Sequence, residues 1–210
     1  MWPTARDTLL CTSPNGLCGA EWTRRAACSF ELGDLPVAWQ VSARPHPTSA
    51  LTEWNAYFTA GLPHEALTDF LLALGARTEP GFSFSGPEAV VAAACAQGWA
   101  RDIDRPRAAA LAPGLSAGVS LEKVPPLVRD ADPRPGRFGW QAWAEPVVGD
   151  QYLWCASFSS SVPHDLVAIF ASSLALPHPV QRSCLPAGVE GRLTVVRPGA
   201  DRQRRARGVE

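Results

Sequence analysis

The chain has 210 residues, 19 Lys+Arg against 20 Asp+Glu, a net charge of −1 and a 46% hydrophobic composition that includes 8 Trp and 8 Phe. The balance of charge excludes a globally basic nucleic-acid binder and an acidic solvating chain, and the aromatic content excludes an intrinsically disordered one. No apolar run approaches the ~20 residues of a membrane span, and the first residues lack the cationic start and apolar core of a secretory leader, so the expectation is a soluble, cytoplasmic protein.

In chain order, "TLLCTSPNGLCGAEW" places a Pro-Asn-Gly turn between two apolar segments, which predicts a hairpin. Val37, Trp39, Val41 and Ala43 alternate with Ala38, Gln40, Ser42 and Arg44, the period of a strand with one buried face. Trp54, Ala56, Phe58 and Ala60 repeat that period, so the two segments form an antiparallel hairpin. The period then lengthens: Leu67, Phe70, Leu71 and Leu74 form a helical stripe, with Pro63 suited to its first turn and Gly75 to a left-handed cap. Residues 77–86 read as a Gly/Pro/Ser-rich linker. Residues 86–99, "GPEAVVAAACAQGW", predict a helix, and "AAALAPGLSAGVSLE" a weaker hairpin. An irregular stretch with four prolines, 124–137, precedes strands at 138–145 and 152–158. A last helical stripe, Val167, Phe170, Ala171 and Leu174, is stopped by Pro177.

The second set of elements repeats the first. Residues 39–74 and 140–174 align with Trp39 on Trp140, Gln40 on Gln141 and Pro45 on Pro146. After one deleted loop residue, Trp54 falls on Trp154, Phe58 on Phe158, Pro63-His64 on Pro163-His164, Phe70 on Phe170 and Leu74 on Leu174. Roughly a third of the aligned positions are identical, which makes this a duplication rather than a solenoid. The expected fold class is α+β: two tandem repeats, each a small antiparallel sheet of about four strands with the following helix on one face. The first repeat spans 1–76 and is short at its N-terminus: either it lacks a leading helix or the chain start is truncated. A linker covers 77–86, the second repeat with its leading helix covers 87–196, and 197–210 is a disordered tail. The pattern "WQVSARP…W-x-A-x-F…PHEAL-x-x-F", with its second version "WQAWAEP…YLWCASF…PHDLV-x-x-F", resembles the actinobacterial SPDY-type domain family, domain of unknown function 317. The "TSPNG" segment is similar to that family's "TSPD" element, with Asn15 in place of the Asp and no following Tyr. The resemblance implies tandem α+β domains. It implies no activity, cofactor or catalytic residue.

The candidate functional residues are few. The six cysteines show neither C-x-x-C nor zinc-ligand spacing, so no metal and no cofactor is expected. His64-Glu65 and His164-Asp165 recur at equivalent helix starts, where an acidic side chain complements the helix dipole and the histidines are candidate binding residues. Cys155 with His164 as base is a conceivable nucleophile pair, but its repeat partner is Asn55, so the duplicated fold does not require it. Trp143 falls on the face opposite its apolar neighbours and is a candidate contact residue. Arg202, Arg204, Arg205 and Arg207 in the tail are the only candidates for phosphate contact. The leading function is therefore a non-enzymatic module that binds a protein partner or a second copy. The alternatives are a nucleic-acid accessory factor acting through the tail and an enzyme with a cleft between the repeats.

Overall fold

The structure, a computed structural model, describes residues 8–23, 30–81, 83–122 and 139–177. Thr8–Thr12 (β1) and Cys18–Thr23 (β2) form the first hairpin. Its turn is held from within: Ser13 Oγ donates to Asn15 Oδ1 at 2.7 Å, while Asn15 Oδ1 accepts from the Leu17 N–H and Ser13 Oγ from the Cys18 N–H. The next strands are Glu31–Leu32 (β3), Leu35–Ala43 (β4) and Trp54–Thr59 (β5), followed by the helix His64–Gly75 (α1). The second series runs Glu88–Ala96 (α2), Ala100–Arg101 (β6), Ala109–Leu111 (β7), Ala117–Glu122 (β8), Gly139–Ala144 (β9), Trp154–Phe158 (β10) and the helix His164–Leu174 (α3). Pro63 and Pro163 precede their helices in extended conformation, and α1 ends on Ala76 at φ −79°. Gly75 thus stays helical and forms no left-handed cap.

The expectation of two small sheets is corrected by the strand order, β1-β2-β4-β5-β10-β9-β8-β7-β6, with β3 pairing β4 off this path. Each repeat supplies five strands, but the halves join edge to edge through β5 and β10 into a single sheet. The physical reason lies in those two strands. WNAYFT and WCASF are buried along almost their whole length. As edges of separate sheets they would expose a row of unpaired N–H and C=O groups flanked by apolar side chains. The junction is symmetric: Phe58 faces Ala156, Tyr57 faces Ser157 and Ala56 faces Phe158, so a pseudo-two-fold axis passes through the Tyr57–Ser157 pair. The side chains at its ends obey the same symmetry. Thr59 Oγ1 accepts the Cys155 N–H at 2.8 Å, and Ser159 Oγ accepts the Asn55 N–H at 3.1 Å.

One face of the sheet is covered by the helices, with α1 beside α3 and α2 on the far side of α3, over β6 and β7. The core centres on the axis. Phe58, Phe70, Phe158 and Phe170 are fully buried, with the Phe158 and Phe170 rings 5.0 Å apart and Phe58 and Phe158 5.4 Å apart. Burial of each such ring contributes about 1.5–3 kcal/mol. Trp54 and Trp154 lie at equivalent buried positions. Strand β4 departs from simple alternation: the register shifts between Val37 and Trp39, so Val37 faces the helix-free side while Trp39, Val41 and Ala43 face the helices. The bulge is possible because both faces of β4 have apolar partners at that point. Among the described residues no helix is long and apolar enough to cross a membrane.

Candidate functional site

On the helix-free face, Leu32, Val37, Tyr57 and Cys155 form a small second core, with Phe30 and Trp143 packed against it. Beside it lies a depression of about 340 Å³, lined by Glu31, Leu32 and Gly33 of the first repeat and by Gln141, Trp143, Tyr152 and Cys155 of the second. Two glycines give its aromatic residues room. Gly33, at φ +58°, leaves room that a Cβ would take from Tyr152 Cδ2 at 2.5 Å and Cys155 Sγ at 2.9 Å. Gly118 lies opposite Trp143, and a Cβ there would meet the indole at 2.6 Å, so the ring leaves no room for a side chain at that position. Trp143 pairs with Cys155, where the first repeat pairs Ser42 with Asn55. The aromatic ring and the thiol are therefore features of the second repeat alone. Burial pushes the Cys155 thiol up to about 12, so it stays protonated at neutral pH and is a poor nucleophile.

The two helix starts have diverged. His64 is exposed, with Nε2 3.2 Å from Glu65 Oε1, so adjacent side chains do meet there. His164 is half-buried, and its Nδ1 accepts the indole N–H of Trp140 at 3.1 Å; burial lowers its pKa. Asp165 pairs with Arg77, which follows α1. Cys155 belongs to the helix-free face, whereas His164 binds a tryptophan of the helix-side core, so the sheet separates the conceivable nucleophile from its base. Among the described residues no group of three His, Cys, Asp or Glu is placed to hold a metal ion. Arg202, Arg204, Arg205 and Arg207 lie outside the described residues.

A third region was not singled out by residue type. On the helix side, the pairing row Cys11–Ala20–Val41–Ala56 corresponds to Ala110–Val119–Ala142–Ala156. Ala110 is fully buried beside α2, whereas Cys11 is exposed. In the neighbouring row, Leu9 is 53% exposed, and Trp22 and Trp39 stack at 6.2 Å and stay only partly buried, while Trp140, the equivalent of Trp39, is sealed. The helices repeat the contrast. Ala171 and Ala175 of the second repeat are buried; Leu71 is half-buried, Gly75 has open space around it and Leu72 is 67% exposed. Ser172, the counterpart of Leu72, accepts a hydrogen bond from Gln97, the residue that caps α2. The first repeat thus keeps the floor on which the second seats α2, but has no helix on it among the described residues. The signal available in the sequence was the leading helix of the second repeat, which has no described counterpart in the first, not any one side chain.

The architecture defines a tandem α+β repeat protein whose halves share one sheet and differ in their outer cover. The sequence profile of the SPDY family, a domain of unknown function (DUF317), matches residues 12–81 and 126–180, together more than half of the chain, and the protein belongs to that family. No curated protein and no solved structure matches it.

Proposed function

We propose that the chain is a non-enzymatic protein-interaction module of the cytoplasm. The observation that carries this reading is the apolar surface at the β1 end of the sheet, where Leu9 and Leu10 are 53% and 65% exposed on opposite faces of an edge strand without charge or proline. Proteins ordinarily blunt such edges, and an apolar one left open is a contact surface. The chemistry points the same way: Cys155 is held protonated, and the sheet lies between it and His164. Trp143 supports a further contact on the helix-free face, since its exposed edge borders the depression between the repeats. The free thiols of Cys11, Cys18, Cys95 and Cys155 fit a reducing compartment. The test is affinity capture from the native host with the full chain and with Leu9→Asp. A stoichiometric partner kept by the parent and lost by the variant, with unchanged melting, supports the proposal. Capture indifferent to Leu9→Asp, or a monomeric sizing profile with no partner, overturns it.

A further inference from the structure

We infer that the helix-side face over β1 and β2 is a docking site for one short helix of a partner protein, bearing a stripe of small apolar side chains; this rests on the interaction reading above and names its occupant. The protein displays the bound arrangement within itself. In the second repeat the equivalent face is closed by α2, EAVVAAACA, which buries Val90, Val91 and Ala94 against the sheet and α3. The pseudo-two-fold that superposes the strand registers carries that seat onto Cys11, Ala20 and the outer flank of α1. There Leu72 and Leu9 stand exposed as two walls, one on the helix and one on the sheet.

The size of those walls sets the chemistry of the guest. Where α3 offers Ala171 and Ser172, α1 offers the larger Leu71 and Leu72. An incoming helix reaches the strands only if its facing stripe is small, alanine or glycine next to α1 and at most valine over the strands. Charge on that stripe is disfavoured, because the floor is apolar and the cation beside it, Arg77 near Cys18, is already paired with Asp165. Addition of a strand to the β1 edge, as in pairing with a second copy, would satisfy the backbone of β1 but leave Leu72 in water. The helix covers both walls, which is why it is the favoured occupant.

The probe is a synthetic peptide of residues 86–98 with Cys95→Ser, added to the full chain. The cis-linked α2 holds its own seat at high effective concentration, so the peptide reports on the one left open by the described residues. Saturable binding is expected, with alkylation of Cys11 slowed at least tenfold at saturation. Leu72→Asp in the chain, or Val90→Asp in the peptide, should weaken binding at least tenfold. Leu72 is exposed enough for the variant to fold, which its melting curve checks. Binding that ignores Leu72→Asp, absence of Cys11 protection, or a Cys11 already inert without peptide each overturns the proposal. If the peptide fails while the native partner is still lost on Leu9→Asp, the interaction reading stands and the helical occupant falls. If instead the chain dimerises and Leu10→Asp abolishes the dimer, edge pairing between copies replaces it.

Discussion

The first and second repeats share their inner strands almost residue for residue and part company at the outside. Around the axis, Phe58 and Phe158, Phe70 and Phe170, and Thr59 and Ser159 occupy matching places and make matching contacts. One strand out, Trp140 is sealed and bonded to His164, while its equivalent Trp39 is half-buried beside Trp22 and has an exposed histidine at the matching helix start. A duplicated core constrains what lies on the shared axis, because each change there is felt by both halves. It leaves the distal strands free to acquire or lose cover.

The largest predicted effect breaks that equivalence at the tryptophans. Trp140→Ala removes a fully buried ring and its hydrogen bond, and should cost about 3–5 kcal/mol in denaturant unfolding. Trp39→Ala, at a half-buried position, should cost roughly half as much. Equal costs would mean that the first repeat is as well covered as the second.

At the axis the expectation is reversed, toward similarity with a small bias. Thr59→Val leaves the buried Cys155 N–H without its 2.8 Å acceptor, a loss of about 1–3 kcal/mol. Ser159→Ala removes the acceptor of the part-buried Asn55 N–H, at about 1 kcal/mol, because water can reach that end. A neutral Thr59→Val would show that the junction is held by ring packing alone. Arg77→Ala is the next step down. It breaks the pair with Asp165, whose side chain is 38% exposed, so screening limits the loss to about 1 kcal/mol in thermal or denaturant melts. The second repeat offers no counterpart of this arginine, since the residue matching Arg77 is Pro177.

Much of this was legible in the residues, for stated reasons. The change of period from two to 3.6 marked both hairpins and both helices, and the paired Trp, Phe and Pro-His positions marked the duplication. Trp143 was legible because it broke the alternation of its strand. The fusion into one sheet was harder to read. Its trace is that WNAYFT and WCASF are apolar or small on both faces, which alternation alone does not distinguish from a hairpin strand. The bulge at Ala38 was hidden because Val37, Trp39 and Val41 are all apolar, and only the pairing of Val37 with Thr59 reveals which of them has changed face. The candidate interaction surface needed the two repeats to be compared in space, because Leu9, Cys11 and Leu72 have no chemical signature singly.

The smallest effect expected is a dependence on pH set at the start of α3. His164 accepts the Trp140 N–H at Nδ1, so its proton sits on Nε2, and a second proton would both destroy that bond and place charge in a half-buried site. Burial accordingly lowers its pKa in the folded state. The unfolded chain, with histidine near the ordinary value of about 6.5, then binds more protons than the folded one below that pH. The stabilisation is complete above about pH 6.5 and is lost as pH falls from there through the lowered folded value. Melting curves between about pH 7.5 and about pH 5 should therefore slope less in His164→Phe than in the parent. Identical slopes in the parent and in His164→Phe would mean that the imidazole titrates as freely in the fold as out of it, and that the seal over Trp140 admits water as readily as the open face over Trp39.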